Sequence, residues 1–460
     1  MAFQISGKGK RMKKVKHDIL LKLVKVLNVL LMTIAFSGCW YLYYGDRLVS
    51  PFYRNGNYLV IALFMIIYCG CCNVYEALIV SMKQISEMVY SQFLAALETD
   101  VVMFIITWLL TKSLPNVWPL IGTLVVQLVL AVIWSYNANH WYFRTFPPQK
   151  TAIIHDAREG LQDLVQEYGL TKKYEIQQLI SVSECLQDLS LLKGMETVFL
   201  SGVHSHDRNI ILKYCIAEDI EVMVIPRIGD VLMSSSKAIH MFHLPMLQVR
   251  RYNASPEFLA IKRLMDIVIS LIALIVLSPI MLIVALAIKL YDGGPILYSQ
   301  VRLTKDGKLF HIHKFRSMRT DAEKDGVARL STGENDDRIT PIGKVIRKLR
   351  LDELPQLWDI LHGDLSVVGP RPERPEIAQQ YMEEMPEFAL RLQAKAGLTG
   401  YAQVYGKYNT TPYDKLQMDL TYIAHPSIVE DLKIMMATIK ILFMAESTEG
   451  VAEGQTTANK

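Results

Sequence analysis

The sequence predicts a multi-domain membrane protein. It has an N-terminal four-helix transmembrane bundle, a Rossmann-like α/β middle domain and a C-terminal α-rich domain carrying a re-entrant membrane helix. Three observations lead there. Apolar runs long enough to cross a bilayer, which takes about 20 residues, crowd the N-terminal third and recur once later. Short apolar strands alternate with helical patterns in the middle. The last part reads as soluble but keeps basic, amphipathic stretches. The expected domains are 1–144, 145–255 and 256–445, followed by a polar tail, 446–460, expected to be disordered.

The N-terminus carries Lys8, Lys10, Arg11, Lys13, Lys14, Lys16, Lys22 and Lys25 against Asp18 alone. Such a cluster just before an apolar run favours a cytoplasmic N-terminus. A nucleic-acid arm is the rival, but a membrane segment follows at once, so no nucleic acid is expected as a partner. The run is too long for a signal peptide and lacks a small-residue cleavage site. Four membrane helices are expected at about 20–44, 57–81, 88–111 and 117–137, returning the chain to its starting side. Cys69 and Cys72 form a CxxC inside an apolar segment and read as small helix residues; the six cysteines imply no disulfide framework. Glu98 and Asp100 are either intramembrane acids or belong to a helix that starts in water and enters lipid near Val101. The strong apolar run from Val101 favours the second reading.

In the middle, TAIIHD, ETVFLSG and IEVMVIP read as strands, with GLQDLVQEYGL and DRNIILKYCIAED as helices between them. That alternation predicts a parallel sheet covered by helices. The turn after the first strand reads HDAREG, without the glycines that admit a pyrophosphate. His204 and His206 read as solvated loop residues rather than metal ligands.

A fifth apolar run, Leu264 to Leu290, is flanked by Lys262-Arg263 and Lys289, with Ser278-Pro279 near its centre. Proline removes a helix hydrogen bond, and basic residues at both ends fit poorly with a charge-asymmetric span. A helix–break–helix that enters one leaflet and returns fits better than a Pro-kinked spanning helix, provided the Ser278 hydroxyl or other groups satisfy the freed backbone. Further on, 343–350 and 433–444 are amphipathic and suit either the headgroup layer or a protein core.

The chemistry gathers around Asp352 and Glu353 in RLDELPQLWDILHGDLSVVGPRP. Neighbouring acids on a helix point about 100° apart, so they divide labour rather than form a symmetric dyad. One can attack phosphorus while the other holds a divalent cation. An isolated Asp-Glu pair reads as a helix start, but this one is not isolated. Lys314 and Arg316 stand upstream with Gln300 and Arg302, Arg347 lies just before, and Arg371 and Arg374 follow in GPRPERP. Arginine forks match phosphate oxygens, and flanking prolines stiffen the turn. AGLTGYAQVYGK adds glycines that let backbone N–H groups approach an anion. This inventory suits phosphoryl transfer.

VRLTKDGKLFHIHKFRSM, RLDELPQLWDILHGDLSVVGPRPERPE and AGLTGYAQVYGK resemble the bacterial sugar transferases, polyprenol-phosphate hexose-1-phosphate transferases with a monotopic phosphoglycosyltransferase core. The resemblance covers about 258–443, and the N-terminal parts resemble the large form that initiates capsule and exopolysaccharide synthesis. It implies an enzyme that moves sugar 1-phosphate from a UDP-sugar to undecaprenyl phosphate, giving undecaprenyl-diphospho-sugar and UMP. It implies Asp352 as nucleophile, through a phosphosugar–enzyme intermediate, and Glu353 as the ligand of Mg²⁺. Lys314, Arg316, Arg347 and Arg371 match basic positions near the phosphate, and Ser278-Pro279 matches the break of the re-entrant helix. The implied setting is the bacterial inner membrane, with the catalytic domain facing the cytoplasm, membrane lipid around it, and a homodimer through the bundle as one assembly. Glucose or galactose leads as the sugar, by analogy. A non-catalytic scaffold or sensor, or a glycosyltransferase releasing UDP, are the alternatives. The chain departs from the family pattern at Thr304, often glycine, at Ala396, often proline, and around His425-Pro426.

Overall fold

The computed structural model describes residues 3–50, 52, 55–156, 160–251, 254–320, 322, 338–406 and 410–442, with side chains from 16 onward. The tail expected from Glu446 lies outside the described residues. The chain forms two compact units, Met1–Ile225 and Pro226–Lys460.

The first unit opens with α1 (Phe3–Cys39), α2 (Gly56–Val74), α3 (Ile85–Thr111) and α4 (Trp118–Thr145). With the turns that prolong α1 to Arg47, each is long and apolar enough to cross a membrane. A polar chain ties all four together. Tyr68 OH donates to Asn28 Oδ1 at 3.0 Å, Asn28 Nδ2 to Gln92 Oε1 at 2.9 Å, and Gln92 Nε2 to Ser135 Oγ at 3.0 Å. In hydrocarbon, interhelical hydrogen bonds and close packing must replace the hydrophobic effect as glue. α3 begins a full four turns before Asp100 and buries it against α4, at 3% exposure.

The same unit continues with β1 (Gln149–His155), α5 (Leu161–Glu167), β2 (Tyr174–Ser181), α6 (Val182–Gln187), β3 (Thr197–Ser201), α7 (Ser205–Ala217) and β4 (Glu221–Val224). All four strands are parallel in the order β2-β1-β3-β4. β1 is central and its Ala152 and Ile154 are fully buried with Val198 and Leu200 of β3. This is the expected helix-covered α/β sheet, with one strand, β2, added at its edge.

The second unit begins with α8 (Ile228–Ser234) and the hairpin β5 (Lys237–Met241) and β6 (Leu244–Gln248). Ile228 and Val231 join the second unit's core, and the unit starts at Pro226, although the sequence groups this stretch with the middle domain. Then follow α9 (Pro256–Asp292), β7 (Leu297–Leu303), β8 (Leu309–Phe315), α10 (Pro341–Lys348), α11 (Gln356–His362), β9 (Ser366–Val368), α12 (Pro375–Glu384), β10 (Gly397–Thr399), α13 (Tyr401–Tyr405), α14 (Pro412–Ala424) and α15 (Ile428–Leu442). Phe310, Leu357, Ile360, Leu365, Leu416, Leu420 and Ile434 form the core.

α9 is one uninterrupted helix of 37 residues with Pro279 inside it, the fifth helix apolar enough to cross a membrane. Ser278-Pro279 therefore does not break the helix as the sequence led us to expect. The reason is local: Ser278 Oγ donates at 2.8 Å to the Ile275 carbonyl, the acceptor that the missing Pro279 N–H would have served. Both ends of α9 are bonded into the second unit. Near its start, Lys262 Nζ meets Asp431 Oδ2 at 2.6 Å and Tyr422 OH at 3.1 Å, Arg263 donates to the Ile360 and Leu361 carbonyls, and Asp266 accepts from Ser366 Oγ and Val367 N–H. At its end, Asp292 is ion-paired with Arg316.

Candidate active site

Asp352 and Glu353 lie on a single 3-10 turn, Leu351–Glu353, between α10 and α11. The local sequence dictates that turn from both sides. Thr340 Oγ1 caps α10 by accepting from Gly343 N–H at 2.9 Å, with Pro341 in the first helical turn. α10 ends before Arg350, whose backbone is left-handed with φ 56°. A residue with a β-carbon adopts that conformation at a cost of roughly 1–2 kcal/mol. Pro355, with φ −59°, then opens α11, and Gly363, with φ 98°, closes it.

The two acids differ sharply. Asp352 is buried, at 9% exposure, and its Oδ1 has no hydrogen-bond partner among the described residues. Glu353 is gripped: its Oε1 accepts from Lys314 Nζ at 2.7 Å and from Arg371 Nη2 at 3.4 Å. Burial and then the Glu353 charge push the Asp352 carboxyl upward, and Lys314, Arg347 and Arg350 only partly offset this. Burial opposes charge on Glu353 too, but Lys314, Arg371 and Arg350 outweigh it and hold that carboxyl well below its ordinary range. The result is one fixed anion and one more basic carboxylate with an unoccupied oxygen. Such a split is what a nucleophile beside a permanent charge requires.

Lys314 comes from β8, held antiparallel to β7 with Tyr298 opposite it. Arg371 comes from the Gly-Pro-Arg-Pro turn after β9. Three consecutive carbonyls of that turn are pinned: Pro370 accepts from Gly397 N–H at 2.9 Å, Arg371 from Arg391 Nη2 at 2.9 Å and Pro372 from Arg302 Nη1 at 3.2 Å. Arg391 is itself anchored to buried Asp419 at 2.7 Å. The glycines of AGLTG are required by this packing: a β-carbon on Gly397 or Gly400 would collide with the Gly369 backbone where β9 and β10 meet.

Of the residues singled out from sequence, Lys314 and Arg371 converge on Glu353, and Arg347 acts on Asp352 through its charge. Arg316 pairs instead with Asp292 at the end of α9, because it lies just past the end of β8. Ser278 and Pro279 lie inside α9. Sequence reasoning missed Arg391 and Asp419, which no local pattern marks. It also read Arg350 only as part of an amphipathic face. Two departures from the family pattern meet: Ala396 N–H donates to Thr304 Oγ1 at 3.2 Å. Proline at 396 would have no N–H to donate and glycine at 304 no hydroxyl to accept, so this hydrogen bond needs both residues as they stand here.

Among the described residues no three His, Cys, Asp or Glu side chains gather as a metal cage. The pair still fits Mg²⁺, which takes one or two carboxylates and completes its shell with water and substrate phosphate. Both cationic side chains share Glu353 Oε1, and among the described residues no hydrogen bond occupies Oε2.

A profile described as bacterial sugar transferase matches residues 257–445. The chain is 38% identical over 234 residues to the UDP-N-acetylgalactosamine-undecaprenyl-phosphate N-acetylgalactosaminephosphotransferase of Aeromonas hydrophila, covering 50% of this chain and 54% of that protein. It is 42% identical over 183 residues to the UDP-glucose:undecaprenyl-phosphate glucose-1-phosphate transferase of Klebsiella pneumoniae, 39% of each chain. The chain thus spans about half or less of these two relatives' length. The exopolysaccharide production protein PSS of Rhizobium leguminosarum bv. phaseoli is 42% identical over 201 residues, which is 42% of this chain and 98% of that protein. The split acid pair and its basic frame lie inside the matched segment, and the chain belongs to the bacterial sugar transferase family.

Proposed function

We propose that this protein transfers sugar 1-phosphate from a UDP-sugar to undecaprenyl phosphate, releasing UMP, and so initiates a capsule or exopolysaccharide repeat unit. The observation that carries the reading is the buried Asp352 oxygen left open beside the clamped Glu353. In the first step an Asp352 oxygen attacks the sugar-bearing phosphorus. The bond from that phosphorus to the bridging oxygen breaks, UMP leaves, and an aspartyl-phosphosugar forms. In the second step a phosphate oxygen of the lipid carrier attacks the same phosphorus and returns Asp352 as a carboxylate. Covalent catalysis splits one hard displacement into two and lets two anionic substrates use one site in turn.

Lys314, Arg347, Arg350 and Arg371 surround the acid pair with positive charge and would balance the phosphate oxygens in both steps. Arg316 holds the end of α9 rather than the acids. Glu353 would hold Mg²⁺, which neutralises diphosphate charge when bound. Since both ends of α9 are bonded to one unit, we place both on the cytoplasmic face of the inner membrane, with the apolar middle dipping into lipid. Cysteines at Glu257 and Tyr291 are then expected to react with an impermeant maleimide from the same side; labelling from opposite sides would make α9 a crossing helix. The four-helix bundle is a candidate homodimer interface, and native mass in intact lipid tests it.

The deciding assay is purified protein with undecaprenyl phosphate, Mg²⁺ and a panel of UDP-sugars, read by nucleotide release. The Aeromonas and Klebsiella relatives are named for different sugars, so the panel must include both N-acetylgalactosamine and glucose donors. UMP from one sugar is the expected result; UDP would mean transfer of the bare sugar, and no release from any sugar would point to a scaffold. The acid limb of kcat/KM should report the Asp352 carboxyl. Because the reactive form is deprotonated and Arg347 lowers that carboxyl, Arg347→Gln is expected to move the limb to higher pH. A limb that stays in place would separate Arg347 from the nucleophile.

A further inference from the structure

The strand that carries Lys314 has an open edge. β7 pairs with one side of β8, and among the described residues no strand pairs with the other. His313, the neighbour of Lys314, turns its N–H to that open side. There Asp359 of α11 takes the place of a further strand. Its Oδ2 accepts the His313 N–H at 2.9 Å, and its Oδ1 lies 2.6 Å from His313 Nδ1. A carboxylate only accepts, so Nδ1 is the donor, and one side chain holds both the backbone and the ring of His313. Asp359 is 3% exposed. Burial pushes its carboxyl up, and the His313 contacts pull it back.

The fold alone does not call for this carboxylate. Leu357 and Ile360 of α11 already share a core with Phe310 and Ile312 of β8, and a buried ion pair is often no better for stability than apolar packing. What the clamp adds is placement. α11 starts at Gln356, one turn after Glu353, and β8 carries Lys314. The two partners of the 2.7 Å Lys314–Glu353 contact therefore sit on, or just before, the elements that Asp359 ties together. A shift of about 1 Å in such a site can cost roughly 100-fold in rate. We propose that Asp359 is a positioning residue for sugar transfer, which fixes Lys314 against Glu353 by clamping His313. The proposal rests on the acid pair being the active site.

The test reads Lys314 directly, in the full chain in lipid nanodiscs. Lysines are acetylated with trace acetic anhydride, and the rate at each is followed by mass spectrometry. Lys314, ion-paired with Glu353, should react slowly in the native protein. In Asp359→Leu its rate is expected to rise about tenfold, the effect of one lost charge-assisted hydrogen bond. Lys262, buried in its pair with Asp431, should stay slow and so report an intact fold. Asp359→Asn should keep Lys314 slow, because the amide oxygen accepts the N–H while its NH₂ donates to the ring in its other tautomer. His313→Ala keeps the N–H contact, should give a smaller rise, and decides the matter if Asp359→Leu fails to fold. No rise at Lys314, or a matching rise at Lys262 in both variants, would overturn the proposal. Turnover supplies a second readout. Asp359→Leu should lower kcat by about 10- to 100-fold, and in a Lys314→Gln background it should cost nothing more, since both changes act through one contact. Losses that multiply would mean that Asp359 acts elsewhere. Acetylation needs no turnover, so absence of UMP release would sink the sugar-transfer reading while the clamp on Lys314 is still judged by its own result.

Discussion

Asp352→Asn is expected to abolish turnover and labelling of the protein by phosphosugar, with a rate loss of about a thousandfold or more, as for other covalent nucleophiles. The fold should not suffer. Burial and the neighbouring Glu353 raise the Asp352 carboxyl in the folded state. A raised acid costs stability as pH climbs from the unfolded value toward the folded one, and the full cost persists above it. The amide carries no such cost, so at neutral pH the variant should melt at the same temperature or higher. Activity and stability then move in opposite directions, which is the mark of a strained functional group rather than a structural one. Radiolabelled UDP-sugar and a thermal melt on the same preparation decide it. Full activity in Asp352→Asn would falsify the covalent mechanism.

Arg391→Leu is expected to lower stability by about 3–5 kcal/mol, since it strands Asp419 as a buried, unpaired carboxylate. Burial already pushes the Asp419 carboxyl upward, and Arg391 is what pulls it back. Removing both charges, in Arg391→Leu with Asp419→Leu, should recover much of that loss, because two leucines need no counter-charge. Activity should not recover with it. Arg391 Nη2 also holds the Arg371 carbonyl, and Arg371 reaches Glu353. Without that bond the turn loosens and kcat should stay depressed by about 10- to 100-fold. Denaturant melts and steady-state rates on the two variants separate the effects. If the double variant regains full activity with its stability, Arg391 serves only the fold.

The sequence made some of this legible and hid the rest for physical reasons. Long apolar runs announce membrane helices because a bilayer sets a minimum length, and all four expected N-terminal spans appear, although α2 stops at Val74 rather than 81 and α4 runs on to Thr145 rather than 137. The strands of the middle domain were visible where apolar residues run together, as in β1, β3 and β4. β2 was not, because YEIQQLIS lies at the sheet edge and alternates buried with exposed positions. The Asp-Glu pair and the Gly-Pro-Arg-Pro turn stood out because rare residue types cluster there within a short stretch. The burial of Asp100 against α4 was not legible, because a sequence shows that an acid borders an apolar run but not which helix it faces.

By itself, then, the sequence determined the membrane character, the parallel α/β middle and the residues of the acid pair with much of its basic surroundings. Each of these rests on local pattern: run length, strand–helix alternation and motif spacing. Only the tertiary structure decided which cations meet which acid. Lys314 and Arg371 reach Glu353 from places far apart in the chain, whereas Arg316, two residues beyond Lys314, turns to Asp292. It also decided that Asp352 keeps an open oxygen, that Arg391 and Asp419 brace the turn, and that α9 runs through its proline. Those outcomes depend on distance, burial and hydrogen-bond geometry between segments, and no one-dimensional pattern encodes them before the chain is folded.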